Sequence, residues 1–491
     1  MLDPRFPRVW FAALAAGALA CGASSNGVAS LDASERVDGA KPPPSGDGGI
    51  ERDAGKSKPH ETARGGDAGH GHDAGQPSDA GGPGDAHSKT PRMAGKLDAS
   101  TTGPDGLPTG LHVVRGTGGS PGHIVDGNGD VIHLHGADRS GTEFACTYQS
   151  GGDASAGFPG FFDGPNDQAG VSAMASWHIN AVRVPLNEDC WLGINGLPMN
   201  DSAANYQAAI VAWVKLLNQN GMVAVIDLHW AAPGTEATSS ALGQLPMADA
   251  DHAPAFWASV AGAFKDNSSV IFDLFNEPYI TDWGCWLRGA AASAGCAVDK
   301  SNDGYAVAGM ATLLQAVRNA GADNVVIMGG LGYSSDFSSW VSSVESLPTL
   351  AAPLDGLTTD NVAASLHTYD FGSDNSGCPS QYNGYGGTCN SAATTLSNMS
   401  ADTVLSAGFP ILMGECGISA FSTSTASDFS GAQIMDLETW FDGMLTYMER
   451  QDQDYIAWSW NTDTDPVLIS DYAGTPTPDF GTTYQTHLSQ F

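Results

Sequence analysis

Basic residues are scarce in this chain. Its 491 residues include 20 Lys and Arg against 54 Asp and Glu, a formal net charge of −34. From residue 107 onward the imbalance sharpens to nine Lys and Arg against forty Asp and Glu, a net of −31. Such a surface repels polyanions, which argues against nucleic acid, anionic membranes and acidic glycans as partners. A neutral substrate fits it. CxxC and HxxxH spacings are absent, so no metal site is expected. No Gly-rich phosphate loop follows any strand-like run, and no cofactor is expected.

Long hydrophobic runs are missing too. The apolar stretch Val9–Ala20 is too short to span a bilayer, yet Arg5 and Arg8 precede it and Cys21 follows it. Residues 1–21 therefore read as a signal peptide, possible lipoprotein type. Ala18 sits where leucine is usual in that type, and Leu19 comes one place late. A lipidated Cys21 attached to a membrane and ordinary secretion both stay open. In either case the expected location is extracellular or cell-surface. Large apolar residues are nearly lacking over 22–110, where "DAG" recurs at 53, 67, 73 and 79. A segment with so little to bury is expected to be a disordered linker, and His60, His70, His72 and His87 its solvated residues.

Eight cysteines less Cys21 leave seven. In an exported protein most should pair. Close spacing suggests Cys285–Cys296 and Cys378–Cys389, with Cys146–Cys190 as the third pair and Cys416 single.

What is present begins near Leu111. Apolar runs of strand length alternate with helical patterns: "VIHLHGAD", preceded by a "DGNG" turn and a small hairpin, then "INAVRVPL", "MVAVIDLHW", "VIFDLFNEP", "NVVIMGG", "VAASLHTYD", "FPILMGECG" and "YIAWSWN". Strands apolar on both faces, separated by amphipathic helices, mean a parallel sheet covered by helices. Eight such units over 111–491 fit one α/β TIM (β/α)8 barrel; a doubly wound open sheet is the alternative.

A barrel of this kind works at the C-terminal ends of its strands. Those ends carry Arg183, His229 and Trp230, Asn276 and Glu277, His367 and Tyr369, Glu415, and Trp458 and Trp460. Two carboxylates, a guanidinium, two imidazoles, a phenol, an amide and indoles on one rim make an improbable structural accident, because unpaired buried charges cost several kcal/mol each, about 3–5 when a partner is lost. Paired carboxylates on opposed strands are what glycoside cleavage needs.

These residues carry a resemblance. "VRVP", "DLHW", "VIFDLFNEPY", "LHTY", "GECG" and "WSWN", in this order, resemble glycoside hydrolase family 5, which includes many endo-β-1,4-glucanases and β-mannanases. The resemblance implies a retaining mechanism with Glu277 as acid/base and Glu415 as nucleophile. It implies that Arg183 and Tyr369 hold Glu415, that Asn276 takes a sugar 2-hydroxyl, and that His229 and His367 line the site over a Trp458 floor. Trp191 and Trp286, in predicted loops after strands two and four, are expected to be exposed and to stack on sugars. Trp177, Trp213, Trp257 and Trp440 are expected in the core. Asp138, Arg139 and Glu143 are expected to form structural ion pairs. The expected partner is a neutral β-linked polysaccharide or oligosaccharide, and the expected state a monomer. β-Mannanase, exo-acting glycosidase and non-catalytic carbohydrate-binding readings stay open.

Overall fold

The computed structural model describes residues 106–147, 160–196, 201–234, 241–289, 296–298, 305–370, 389–418 and 431–491. The signal segment with Cys21, the linker up to residue 105 with its histidines, and Cys378 of the Cys378–Cys389 pair lie outside the described residues.

A hairpin comes first, β1 (His112–Val114) pairing antiparallel with β2 (His123–Val125). Val125 then bridges Val131 across the "DGNG" turn. The first barrel strand is therefore shorter than the run "VIHLHGAD" suggests. Val131 belongs to the hairpin, and the Leu134 N–H donates to the Asp454 carboxylate 2.8 Å away. The strands β3 (His135–Asp138), β4 (Ala181–Asn187), β5 (Val223–Trp230), β6 (Val270–Asp273), β7 (Val326–Gly329), β8 (Val362–Tyr369), β9 (Ile411–Gly417) and β10 (Asp454–Ala457) follow. They close in this order into one parallel barrel, β10 returning to β3.

Helices pack outside: α1 (Gln168–Ala175), α2 (Glu188–Leu192), α3 (Ala203–Gln219), α4 (Ala253–Phe264), α5 (Trp283–Arg288), α6 (Met310–Asn319), α7 (Trp340–Glu345), α8 (Ala392–Asn398), α9 (Ala401–Ser406), α10 (Gly431–Arg450) and α11 (Phe480–Leu488). In α3, Ser202 caps the start by accepting from Asn205 N, and Tyr206, Ile210, Trp213, Val214 and Leu217 form one buried stripe at helical spacing. Trp177, Trp213, Trp257 and Trp440 are buried, as their amphipathic settings imply. The run "SAATTLSNMSADTVLSAG" makes two helices, because Ser400 has φ 62° and breaks it. Helix α11 buries Phe480, Tyr484 and Leu488, an i, i+4, i+8 pattern at the chain end.

Inside the barrel the inward positions change character with height. At the bottom, Ala181, Val223, Val225, Ile271, Ile327, Ala363, Leu412 and Ile456 form an apolar plug closed by Leu111 and Ile124 of the hairpin region. One inward step above the plug stand the polar Asp138, Arg183, Asp227, Asp273 and Ser365. Cys146–Cys190 ties the loop after β3 to α2, and Cys285–Cys296 closes a loop from α5. Cys416 is buried and unpaired, and burial pushes its thiol well above the usual range. That state suits packing, not nucleophilic attack.

The segment around α2 also anchors the loop after β5 at both ends. Glu188 Oε1 accepts from Ala232 N at 3.4 Å, and Asn195 Nδ2 donates to Ala232 O at 3.1 Å. Asn187 Nδ2 donates to Ala241 O at 2.7 Å, and Asp189 Oδ2 accepts from Ala241 N at 2.9 Å. Among the described residues no helix is long and apolar enough to cross a membrane.

Candidate active site

Arg183 stands one inward step above Ala181 on β4 and is fully buried. Its Nη1 lies 3.0 Å from Asp138 Oδ1 and 2.8 Å from Glu415 Oε1. Its Nη2 lies 3.0 Å from Asp273 Oδ2, 3.1 Å from Asp227 Oδ2 and 2.9 Å from Asn276 Oδ1. One guanidinium thus faces four carboxylates. Burial works to lower its pKa, but Asp227, Asp138, Asp273 and Glu415 together raise it well above the ordinary value. The aspartates are short of partners. Burial pushes Asp227 up to about 7 and Asp273 to about 6, and raises Asp138 well above the carboxylate range, despite the cation among them.

Glu415 reaches this cluster through a bulge. The β8–β9 register runs Leu366↔Met413 and then His367↔Glu415, leaving Gly414 as an extra residue. Leu412 points into the plug and Met413 out, so simple alternation would aim Glu415 outward; the bulge turns it in. A Cβ at Gly414 would lie 2.6 Å from Ser365 Oγ and 3.0 Å from His367 Nε2, so the position excludes larger residues. Cys416 then faces the helices. The second oxygen of Glu415 accepts from Tyr369 Oη at 2.7 Å.

Glu277 lies across from it, four residues beyond the end of β6. Its Oε1 is 3.1 Å from His367 Nδ1, and its Oε2 and its own carbonyl accept from Gln244 Nε2 at 3.2 and 3.1 Å. One potential ligand atom each from Glu277, His367 and Glu415 lies within 4.8 Å of the others. Burial raises the Glu277 pKa. Burial lowers His367 and His229 to about 4, so both imidazoles are neutral near pH 7. His229 Nδ1 sits 2.6 Å from Asp227 Oδ2, and its ring stacks on Trp458 at 5.4 Å and 13°. Asn276 Nδ2 is 3.5 Å from His229 Nε2. Arg183, His229, Asn276, Glu277, His367, Tyr369, Glu415 and Trp458 therefore converge on one rim.

The family model described as cellulase (glycosyl hydrolase family 5) matches residues 138–464, more than half of the chain. The chain belongs to glycosyl hydrolase family 5. Endoglucanase MaCel5A of Microbulbifer sp. is 23% identical over 266 residues, which are 53% of this chain and 38% of that protein. The chain thus spans well under half of that curated relative. A solved endo-β-1,4-glucanase of Xanthomonas axonopodis pv. citri, carrying three substitutions, is similar at 21% identity and TM-score 0.48, covering 73% of this chain and 100% of that one. The β-glucanase SdGluc5_26A of Saccharophagus degradans, solved with cellotetraose, is similar at 14% identity and TM-score 0.49, covering 83% and 99%.

Two expectations for this family 5 site are corrected by burial. Trp191 and Trp286 are 1% and 0% exposed, so neither offers a face to a sugar. Both lie in short helices, α2 and α5, not in loops. Trp191 Nε1 donates to Ser259 Oγ at 3.0 Å and Trp286 Nε1 to Gly329 O at 2.9 Å, which satisfies each indole within the protein. Of the three residues expected in ion pairs, Asp138 makes one. Arg139 donates instead to the carbonyls of Ser140, Asp163 and Pro165.

Glu143 is a buried acid accepting from Gly141 N at 2.7 Å, and burial pushes its pKa from 4.5 up to about 8. Between those two values the folded state holds a proton that the unfolded chain has released, so stability falls as pH rises through that window. Glu143→Gln is expected to melt with the wild type near about pH 5 and above it near about pH 9. An offset equal at both pH values in calorimetry would remove this account.

Sequence reasoning missed Asp227, Asp273, Gln244 and the Tyr279–Tyr333 pair. Asp227 and Asp273 stand in strands where an inward charge was a visible signal, as it was for Arg183. Tyr279 and Tyr333 stack at 4.9 Å and 16°, and Tyr333 is 48% exposed. Tyr333 follows β7 in a run of positive φ, 59° at Gly332 and 61° at Tyr333, and its N–H donates to Pro278 O at 3.0 Å. Glu277 contributes to raising its pKa, after burial. No periodicity announces such a contact.

Proposed function

We propose that the protein is a retaining β-glycosidase, an endo-β-1,4-glucanase that hydrolyses cellulose-type β-glucan by double displacement. The observation that carries this reading is that a carboxylate oxygen of Glu277 lies within 4.8 Å of one of Glu415, both also within that reach of His367. Retaining enzymes hold their carboxyl groups about 5–5.5 Å apart, whereas inverting ones need about 6.5–9.5 Å for a water.

In the first step Glu415 attacks the anomeric carbon and Glu277 gives its proton to the leaving oxygen. In the second, Glu277 takes a proton from water, which displaces Glu415 from the sugar. The environments support that division. Arg183 and Tyr369 both donate to Glu415 and fix its two oxygens, while burial favours the protonated form of Glu277. Asn276, its carbonyl oxygen taken by Arg183, has its amide N–H groups for His229 and for a sugar 2-hydroxyl. Trp458 offers the floor for that sugar, with His229 and His367 beside it. The exposed Tyr333 ring, backed by Tyr279 on the Glu277 side, suits a chain that continues past the cleaved bond, as an endo enzyme requires. Cys146–Cys190 and Cys285–Cys296 fit work outside the cytoplasm, and we infer an exported enzyme with Cys21 as the candidate lipid attachment point.

The test is wild type and Glu277→Ala side by side on carboxymethylcellulose, glucomannan and an aryl β-cellobioside. Wild type should shorten carboxymethylcellulose to mixed oligomers. The variant should keep activity only on the aryl substrate, whose leaving group needs no acid. A preference for glucomannan would make the enzyme a mannanase, and single-sugar products an exo-glycosidase. A wild type inert on all three would sink the reading.

A further inference from the structure

We propose that Gln244 is a positioning residue for Glu277, clamping its backbone and its carboxylate together and so setting how that residue alternates between acid and base. The proposal rests on the acid/base role given to Glu277 above. Gln244 Nε2 is the donor to both the Glu277 carbonyl, at 3.1 Å, and Glu277 Oε2, at 3.2 Å. Glu277 has φ 49°, in the left-handed region that residues with a side chain seldom occupy. Such a conformation persists where its surroundings over-determine it. Gln244 supplies that constraint from both ends of the residue.

Gln244 is itself fixed. Ala241 is bonded on both sides by Asn187 and Asp189, and Pro246 O accepts from Tyr279 N at 2.9 Å. Beyond it, Ala248 O accepts from Ala308 N and Ala250 N donates to Ala306 O, each at 2.8 Å. The stretch 241–250 is therefore strapped to α2 on one side, to the Glu277 turn in the middle and to 306–308 on the other.

The chemistry has a direction. A primary amide N–H can only donate, so Gln244 stabilises the Glu277 carboxylate and opposes the burial that favours its acid form. His367 Nδ1 is the other hydrogen-bonding group on this carboxylate among the described residues. The remaining charged or titratable groups facing it are His229 and Asp227 from β5, Arg183 from β4, Tyr369 from β8, Glu415 from β9 and Tyr333 after β7. Gln244 is a donor that does not titrate, so replacing it with leucine removes the hydrogen bond without changing charge.

The experiment compares Gln244→Leu and the isosteric Gln244→Glu with wild type, reading kcat/KM against pH on cello-oligosaccharides. The alkaline limb, where Glu277 loses its proton, is expected to move up by about one pH unit in Gln244→Leu. Gln244→Glu, which sets a like charge against Glu277, should move it further. Melting curves should stay close to wild type, because Gln244 is half-buried at the surface end of its loop. A lowered kcat with the limb unmoved in Gln244→Glu would overturn the proposal and leave Gln244 a purely structural residue. Glu277→Gln on an aryl β-cellobioside is the control. If the alkaline limb survives there, the acid/base assignment of Glu277 has failed, whatever Gln244 does.

Discussion

Glu415→Gln is expected to lower turnover on soluble β-glucan by on the order of 10⁵–10⁶, the scale seen when a covalent nucleophile is removed. The substitution preserves shape, and its carbonyl oxygen can still accept from Arg183 or Tyr369. What it removes is the negative charge that makes the attacking oxygen a nucleophile. Folding should not suffer, since one of four carboxylates around one guanidinium is neutralised. Asn276→Ala should behave differently, losing about 10²–10³ in kcat, because it deletes an interaction that strengthens in the transition state but leaves the covalent route open. Steady-state rates on an unactivated substrate, with melting curves alongside, check both. Near-wild-type turnover in Glu415→Gln would move the nucleophile elsewhere.

Arg183→Met should be the most damaging change to stability. It strands Asp138, Asp227, Asp273 and Glu415 in a buried space with no cation. Removing one partner of a buried pair costs about 3–5 kcal/mol. The loss should depend on pH. Asp227 and Asp273 already hold their protons to about 7 and about 6, and without the guanidinium they would hold them to higher pH still. The unfolded chain releases those protons near 3.8, so stability drops as pH rises above that value. Chemical denaturation at about pH 5 and about pH 8 should therefore show the larger deficit at the higher pH. A deficit equal at both would mean that Arg183 contributes packing and little charge.

The barrel was legible because its signal is local and repeated. The strands are apolar on both faces, and several turn polar on the inward side where the rim begins, as Ala181 gives way to Arg183 and Val225 to Asp227 and His229. Glu277 and Glu415 were legible because they stand in short motifs beside such strands. What escaped depends on distance or on a single dihedral. Gln244 and Glu277 are 33 residues apart, and nothing near either names the other. The bulge at Gly414 decides which way Glu415 points, yet in the letters it is one more glycine. Trp191 and Trp286 were misplaced for a different reason. Asn187 caps Cys190 N, and Asp282 caps Cys285 N, so helix-start signals did precede both tryptophans. Their helices are so short that the flanking turn residues read as loop.

Ala232 and Ala241 are gripped by one neighbouring segment, so two footings stay in place whatever length of chain joins them. Lengthening a loop between fixed footings costs only about 0.6 kcal/mol per doubling. Insertions between these footings should leave the plug, the guanidinium cluster and the paired carboxylates where they are. For an engineer, the span between Ala232 and Ala241 is where a change of length should disturb the barrel least.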